Sequence, residues 1–376
     1  MRTLLSAQTP ALILDHDIAA RNMARMRDHI AGAAAGATLR PHLKTAKSLA
    51  VADMLFDGAR EPITVSTLRE AEIFGRAGFT DIVYAVGISP QKLERVAVLR
   101  AGGIDLKIVT DNLEMAQIIG AAASDEPLPT LIEIDVDGHR AGLAFNDEGS
   151  LVEVARALGT GFAGIITHAG GSYALSDQAS LAHAAEDELA RSLHAADILR
   201  KGGHDPGIVS IGSTPTGYSA RDLSGISEFR AGVYMFCDLV MHGVGVCRIE
   251  DIALSVLATV IGTYPERGTA IVDAGWMALS RDRGTHWQAI DQGYGIVCDL
   301  DGNPLIDVLL TQANQEHGIL SVRDGSDAKL PDFRVGDRVR ILPNHACATA
   351  AQHARYEVVR TGSIEIVNTW ERFGGW

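Results

Sequence analysis

Three groupings of side chains in this sequence are of the kinds that do covalent or acid–base chemistry. The first is Arg40-Pro-His-Leu-Lys44-Thr-Ala-Lys47. Proline at 41 disfavours helix at Arg40, so the run starts extended before passing into a helix-like segment, and Lys44 stands where strand hands over to helix. Functional groups of α/β proteins gather at that edge. A lysine attacks carbonyls only as the free amine, a form that burial or nearby cations favour, and Arg40, His42 and Lys47 flank this one. The plainer reading is a solvated surface lysine. The second grouping is His345-Ala-Cys347. On an extended strand, residues i and i+2 face the same side, so imidazole and thiolate can share one ion, with positions left for water or substrate. Such a pair also occurs without metal. The third is a pair of strand-end turns, Gly212-Ser-Thr-Pro-Thr216 and Ala231-Gly-Val-Tyr234, whose backbone N–H groups suit an anion. Either turn alone is a weak signal; two at the ends of the last strands of a barrel match the usual phosphate site of such folds. His139 and Arg140 follow Asp135-Val-Asp137, and His168 and Tyr173 follow Ile165-Ile-Thr167. A salt-bridged loop and a structural histidine are the alternatives there.

The elements that must hold these groups follow a rhythm from Thr38 onward, a short β-rich run and then a helical stretch, repeatedly. Strands are expected near 38–43, 63–67, 81–86, 105–110, 130–136, 162–168, 208–213 and 229–235. Helices are expected over Leu68–Ala77, Leu93–Ala101, Asn112–Ala122, Leu151–Leu158 and about 177–201, with another at Ile18–Ala35 after a strand at Ala11–Asp15. Eight strands alternating with helices favour a closed parallel barrel over an open sheet. No G-x-G-x-x-G follows a strand, so a dinucleotide-binding domain has no support. Past Met241 the pattern changes to short β-like runs at Ala253–Tyr264, Gly268–Asp273, Ile306–Thr311, Arg338–Leu342, Tyr356–Arg360 and Ile364–Val367. The expectation is an α/β barrel over 11–240 and a second, mostly β domain over 245–376, joined by the N-terminal arm 1–10.

With 376 residues, 47% hydrophobic and 39 glycines, the chain suits a two-domain α/β protein with many turns. A formal charge of −14 argues against nucleic acid and anionic membrane as partners. No apolar run approaches the ~18 residues of a membrane span, and the N-terminus does not read as a secretory signal. The four cysteines lie far apart, which suits reduced thiols and a cytoplasmic protein.

Arg40-Pro-His-Leu-Lys44-Thr-Ala-Lys47 resembles the Schiff-base lysine segment of the pyridoxal-phosphate enzymes with an alanine-racemase-like barrel. More narrowly, it is similar to the D-serine dehydratase and D-threonine aldolase group. Further matches run in order through Thr64-Val-Ser-Thr-Leu-Arg-Glu70, Asp135-Val-Asp-Gly-His-Arg140, Thr167-His-Ala-Gly-Gly-Ser-Tyr173 and Ser210-Ile-Gly-Ser-Thr-Pro-Thr216. They continue through Arg230-Ala-Gly-Val-Tyr234, Asp273-Ala-Gly-Trp276 and Pro343-Asn-His-Ala-Cys347.

The resemblance implies a (β/α)8 alanine-racemase-like barrel with a mostly β C-terminal domain. It implies pyridoxal 5'-phosphate on Lys44, with Lys47 the competing lysine. Ser213, Thr214, Gly232 and Tyr234 would hold the phosphate. Arg140 would face the cofactor ring or its phenolic oxygen, and His168 and Tyr173 would flank ring and substrate. Lys44, His168 and Arg140 are the catalytic candidates. His345 and Cys347 would hold a divalent metal, zinc with manganese as the alternative. The implied activity is a dehydratase removing the β-hydroxyl of a D-3-hydroxy amino acid, foremost threo-3-hydroxy-D-aspartate, giving oxaloacetate and ammonia, and also D-serine. The rival is an aldolase releasing glycine and an aldehyde, though that branch often carries aspartate where this chain has Cys347. A racemase needs no metal pair, and a non-catalytic cofactor carrier lacks a second domain. Arg281 and Arg283 could bind a second substrate carboxylate or be solvated charges. The assembly implied is a homodimer in which the β domain of one subunit closes the barrel mouth of the other.

Overall fold

The computed structural model describes residues 2–33, 36–122 and 126–376. Met1 of the arm, and Ala34 and Ala35 at the end of the helix expected over Ile18–Ala35, lie outside the described residues. The chain divides into two compact units, one of Arg25–Gly232 with Gly374–Trp376, the other of Met1–Ala24 with Val233–Phe373.

In the first unit the eight expected strands are all present: Thr38–Pro41, Ile63–Val65, Asp81–Gly87, Asp105–Thr110, Thr130–Asp135, Phe162–Thr167, Ile208–Ile211 and Glu228–Ala231. They pair in parallel in chain order, and the last pairs with the first. The ring closes where His42 bridges Thr64 and the Leu43 N–H donates to the Thr64 carbonyl at 2.9 Å. Their sequences are rich in Ile, Val and Leu because strands of a parallel sheet are covered on both faces. Helices run between them, and several begin on a side chain that satisfies an orphan N–H. Thr67 accepts from Glu70 N, Asp147 from Ser150 N and Asp177 from Ser180 N. The N-terminal end of the ring is plugged by ions. Arg40 reaches Glu228 at 2.6 Å and Asp81 at 2.9 Å, while Lys107 reaches Asp81 at 2.8 Å and Asp105 at 2.7 Å. Asp81, Asp105 and Glu228 are each the first residue of their strand. The opposite end carries the loops with the candidate groups.

The second unit is a nine-stranded sheet that curls on itself. Leu254–Tyr264, rich in β-branched residues, pairs antiparallel with Thr269–Val272 and with Arg338–Pro343. Gly318–Val322, Pro304–Ala313 and Gly295–Cys298 complete the circuit. Two expectations need correction, and a further strand was not expected. The strand Ala11–Asp15, assigned to the barrel, pairs instead with Leu254–Tyr264 and in parallel with Arg355–Val359. Ile364–Val367 makes one bridge, Thr3 to Glu365, because its partner is the short arm rather than a strand. Asn368–Glu371, which had no β-rich signature, is the strand that pairs with Arg355–Val359. Among the described residues no helix is long and apolar enough to cross a membrane.

Candidate active site

Beyond Pro41 the strand gives way to a turn before the helix Leu49–Leu55. Lys44 sits on this turn, exposed, and its ammonium has no ion-pair or hydrogen-bond partner among the described residues. Lys47 is committed elsewhere, its Nζ 3.2 Å from the Oε1 of buried Glu70. Arg40 belongs to the ionic plug. Two of the three cations that flank Lys44 in sequence are therefore neutralised by acids.

Other cations take their place. Burial drives the His168 imidazole down to about 3, helped by the positive charges of Lys44, Arg140 and Arg230 and opposed by a hydrogen bond to Gly212. His42 is pushed well below the ordinary histidine value by burial, then by Lys44, Arg230 and His168. The structure thus brings Lys44, Arg140 and His168 together with His42, already noted as a neighbour of Lys44, and with Arg230, to which the sequence had given no role. Tyr173 joins them, its ring centroid 6.0 Å from that of His168. Arg140 is largely exposed, with Nη2 3.6 Å from Glu133 Oε1. Arg230 is buried and donates to Ser210 Oγ at 2.6 Å and to the Thr167 carbonyl at 2.5 Å. Its signal was present: Glu228 and Arg230 are charges two apart in an otherwise apolar strand, hence on one face. His168 Nδ1 lies 3.0 Å from the Gly212 carbonyl. That oxygen can only accept, so Nδ1 carries the proton and Nε2 keeps its lone pair.

The turn expected to suit an anion follows Ile211. Gly212 has φ +137°, and a Cβ there would run into the Arg230 carbonyl oxygen, so only glycine fits. Ser213 spends its side chain on shaping the turn, with Oγ 2.9 Å from Thr216 Oγ1, 3.0 Å from Ser172 Oγ and accepting from Thr216 N. Thr214 Oγ1 is buried with no hydrogen-bond partner, a cost that a bound acceptor would relieve. At Gly232 a Cβ would stand 2.8 Å from the His42 carbonyl oxygen, so this turn and the one carrying Lys44 approach as closely as glycine allows. A spare buried hydroxyl beside a glycine-lined turn fits a phosphate. Tyr234, fully buried in the turn Val233–Met235, belongs to the other unit.

Glu188 had no signal in the sequence, where it reads as one more polar residue of a long helix. It is buried in Gln178–Lys201. Its Oε1 accepts from Thr167 Oγ1, Ala169 N and Gly212 N at 3.3, 3.2 and 3.0 Å, and its Oε2 accepts from Thr216 Oγ1 at 2.7 Å. Burial raises its pKa against the pull of these donors and of Arg230.

In the other unit His345 and Cys347 do meet, but not on a strand. Arg338–Pro343 ends at the proline, His345 is extended at the N-cap of the helix Ala346–Ala350, and Cys347 lies inside that alanine-rich turn. His345 Nδ1 is 2.5 Å from Asp282 Oδ2, the carboxylate–histidine contact that orients a metal-bound imidazole. Burial would depress His345, yet the hydrogen bonds with Asp282 and Cys347 and the charge of Asp238 push it up to about 11. A carboxylate against the imidazole and a thiol two residues on make a locally acidic place, which suits a divalent ion. No third His, Cys, Asp or Glu joins a metal-sized cluster among the described residues. Buried Asp238 accepts from Ala346 N at 2.9 Å and fixes the turn between the two donors. Arg283 is paired with Asp291 at 2.6 Å, whereas Arg281 lies 4.5 Å over the Trp276 ring.

Residues 14–239 match the alanine racemase N-terminal domain, and residues 253–359 match a serine dehydratase domain. The chain is 49% identical to D-threo-3-hydroxyaspartate dehydratase of Delftia sp. (strain HT23), over 100% of this chain and 99% of that one. The solved structure of that enzyme superposes with TM-score 0.95, covering 100% of both chains at 48% identity. Variants of it with a histidine or a cysteine replaced by alanine, at positions two apart as His345 and Cys347 are, have also been solved, the cysteine variant in a metal-free form. D-serine dehydratase of Dictyostelium discoideum is 29% identical over 98% of this chain and 97% of its own. D-threonine aldolase from Filomicrobium marinum superposes with TM-score 0.80 at 25% identity, over 99% of this chain and 97% of its own.

Proposed function

Because this chain belongs to the family that joins an alanine racemase N-terminal domain to a serine dehydratase domain, we propose that it is a pyridoxal-phosphate-dependent lyase. It removes the β-hydroxyl of a D-3-hydroxy amino acid, foremost D-threo-3-hydroxyaspartate, to give oxaloacetate and ammonia. D-serine, giving pyruvate and ammonia, is the second substrate. The observation that carries this reading is the His345–Cys347 pair in its acidic setting, in a chain similar from end to end to the Delftia enzyme.

Lys44 Nζ would hold the cofactor's aldehyde carbon, and Thr214 with the turns at Gly212 and Gly232 would hold its phosphate. Bound there, pyridoxal phosphate supplies the electron sink that makes a Cα proton removable. Lys44 Nζ, as the free amine, would take that proton. His168 stays neutral, its Nδ1 proton fixed on Gly212, and so adds no charge beside the lysine. Arg140 supplies fixed positive charge, and Tyr173 a flat wall beside His168. His345 and Cys347 would hold zinc, the ion that mixed imidazole and thiolate donors favour over manganese. Bound there, the ion supplies Lewis acidity to the departing hydroxyl. Asp282 keeps the His345 ring turned. The four cysteines are free thiols, which supports placing the enzyme in the cytoplasm.

The test is an assay of the purified protein on D-threo- and D-erythro-3-hydroxyaspartate, D-serine and D-threonine, scoring keto acid against glycine. Keto acid with ammonia is expected. Glycine with an aldehyde as main products would replace this reading by the aldolase one.

A further inference from the structure

Two exits of the barrel carry the groups proposed to face the cofactor: the 167–173 loop holds His168 and Tyr173, and the 212–216 turn holds Thr214. Each follows a different strand, and strand pairing stops short of both. A single side chain ties them. Glu188 Oε1 takes the Ala169 N–H from one loop and the Gly212 N–H from the other, while Oε2 takes the Thr216 hydroxyl. Four donors converge on two oxygens that are 1% exposed as a residue. The consequence reaches further than a clamp. Thr216 has one hydroxyl proton, and Glu188 takes it. Thr216 Oγ1 can then only accept from Ser213, whose N–H lies 3.2 Å and whose Oγ lies 2.9 Å away. The Ser213 N–H and hydroxyl are thereby turned inward, and Thr214 Oγ1 is left as the unpartnered hydroxyl of the turn.

We propose that Glu188 is a positioning residue that sets the hydrogen-bond polarity of the phosphate turn through Thr216. It makes the turn selective for a phosphorylated cofactor while holding the His168 loop in register with it. This rests on the pyridoxal-phosphate reading above. Glu188→Gln is the informative change, because the amide oxygen still accepts from Ala169 N and Gly212 N. Its NH2 faces Thr216 and donates, which reverses the Thr216–Ser213 polarity. Thr216→Val deletes the same link from the other end.

The experiment strips the full-length chain of cofactor and titrates it with pyridoxal phosphate and with pyridoxal. Both share the Schiff-base contribution and differ in the phosphate. In wild type the phosphorylated form should bind more tightly by a wide ratio. Each single variant should keep its melting temperature near wild type and lower that ratio about tenfold. The double variant should be no worse than either single, since both cut one link. If Glu188→Gln fails to fold, Thr216→Val carries the test alone. A ratio unchanged in the folded variants, or equal losses for the two ligands, overturns the role assigned to Glu188 and leaves the cofactor reading standing. Wild type that takes up neither ligand overturns both.

Discussion

At the scale of single residues, Lys44 and Lys47 illustrate what neighbours decide. Both are lysines three apart beside one turn, yet only Lys47 has an acid partner, Glu70. Borohydride reduction of the loaded protein should therefore fix the cofactor on Lys44 alone. Peptide mapping would reveal it, and label on Lys47 would refute it. His168 gives a pH prediction. Its value in the fold is about 3, against ~6.5 in an unfolded chain. As pH falls from 6.5 towards 3, the unfolded chain gains a proton that the fold refuses, so stability is full above that window and declines through it. The urea midpoint of the cofactor-free chain should drop between pH 7 and pH 5, and less so in His168→Gln; equal slopes would sink the claim. Lys44 was legible because Pro41 marks the strand end before it. Glu188 was not, because burial of a helical glutamate depends on which loops fold over it. Arg40 was misread for the same reason: its charge looks available until Glu228, 188 residues on, comes to lie beside it.

At the scale of elements, the barrel was legible strand by strand, since parallel strands covered on both faces announce themselves as short apolar runs between amphipathic helices. The other unit was less so. Gly295–Cys298 and Gly318–Val322 are four and five residues long and lean on partners supplied by distant hairpins. The His345–Cys347 segment shows the converse error. An i, i+2 argument presumed a strand, but Pro343 ends the strand and alanines start a helix, so the two side chains meet by capping geometry instead. Gly212 offers an element-level prediction. It combines φ +137° with a blocked Cβ position. Gly212→Ala should cost about 2 kcal/mol or more of stability in denaturant titration, because strain and overlap add. A loss within experimental error would mean the turn can move. Gly336, with φ +99° and open space around it, is the control that isolates the conformational part.

At the scale of the molecule, lysine and His–Cys pair reside in different units, so their losses should separate. Cys347→Ala, or treatment with a chelator, should abolish keto-acid release and lower the metal content measured by atomic emission. The absorbance of bound cofactor and its borohydride capture should persist. Full keto-acid release from metal-free protein would make the pair merely structural. We also expect a homodimer, to be checked by sedimentation velocity; a fully active monomer would exclude it. The sequence pattern announced two domains with the arm 1–10 joining the second, but not that Ala11–Asp15 goes with the arm, since nothing local in that strand names its partners.

That pairing has a temporal side. Ala11–Asp15 is made an entire barrel earlier than its parallel partner Arg355–Val359. At ~5–20 residues per second, the strand waits on the order of tens of seconds, both edges unpaired, while an entire barrel is synthesised ahead of its antiparallel partner Leu254–Tyr264. One edge waits longer still for Arg355–Val359. During that interval its apolar Leu12, Ile13 and Leu14, all buried in the finished protein, are open to any other edge. A chaperone that binds nascent chains would find a client site there, and a ribosome stalled before residue 254 would hold the barrel's strands complete and this one without either partner.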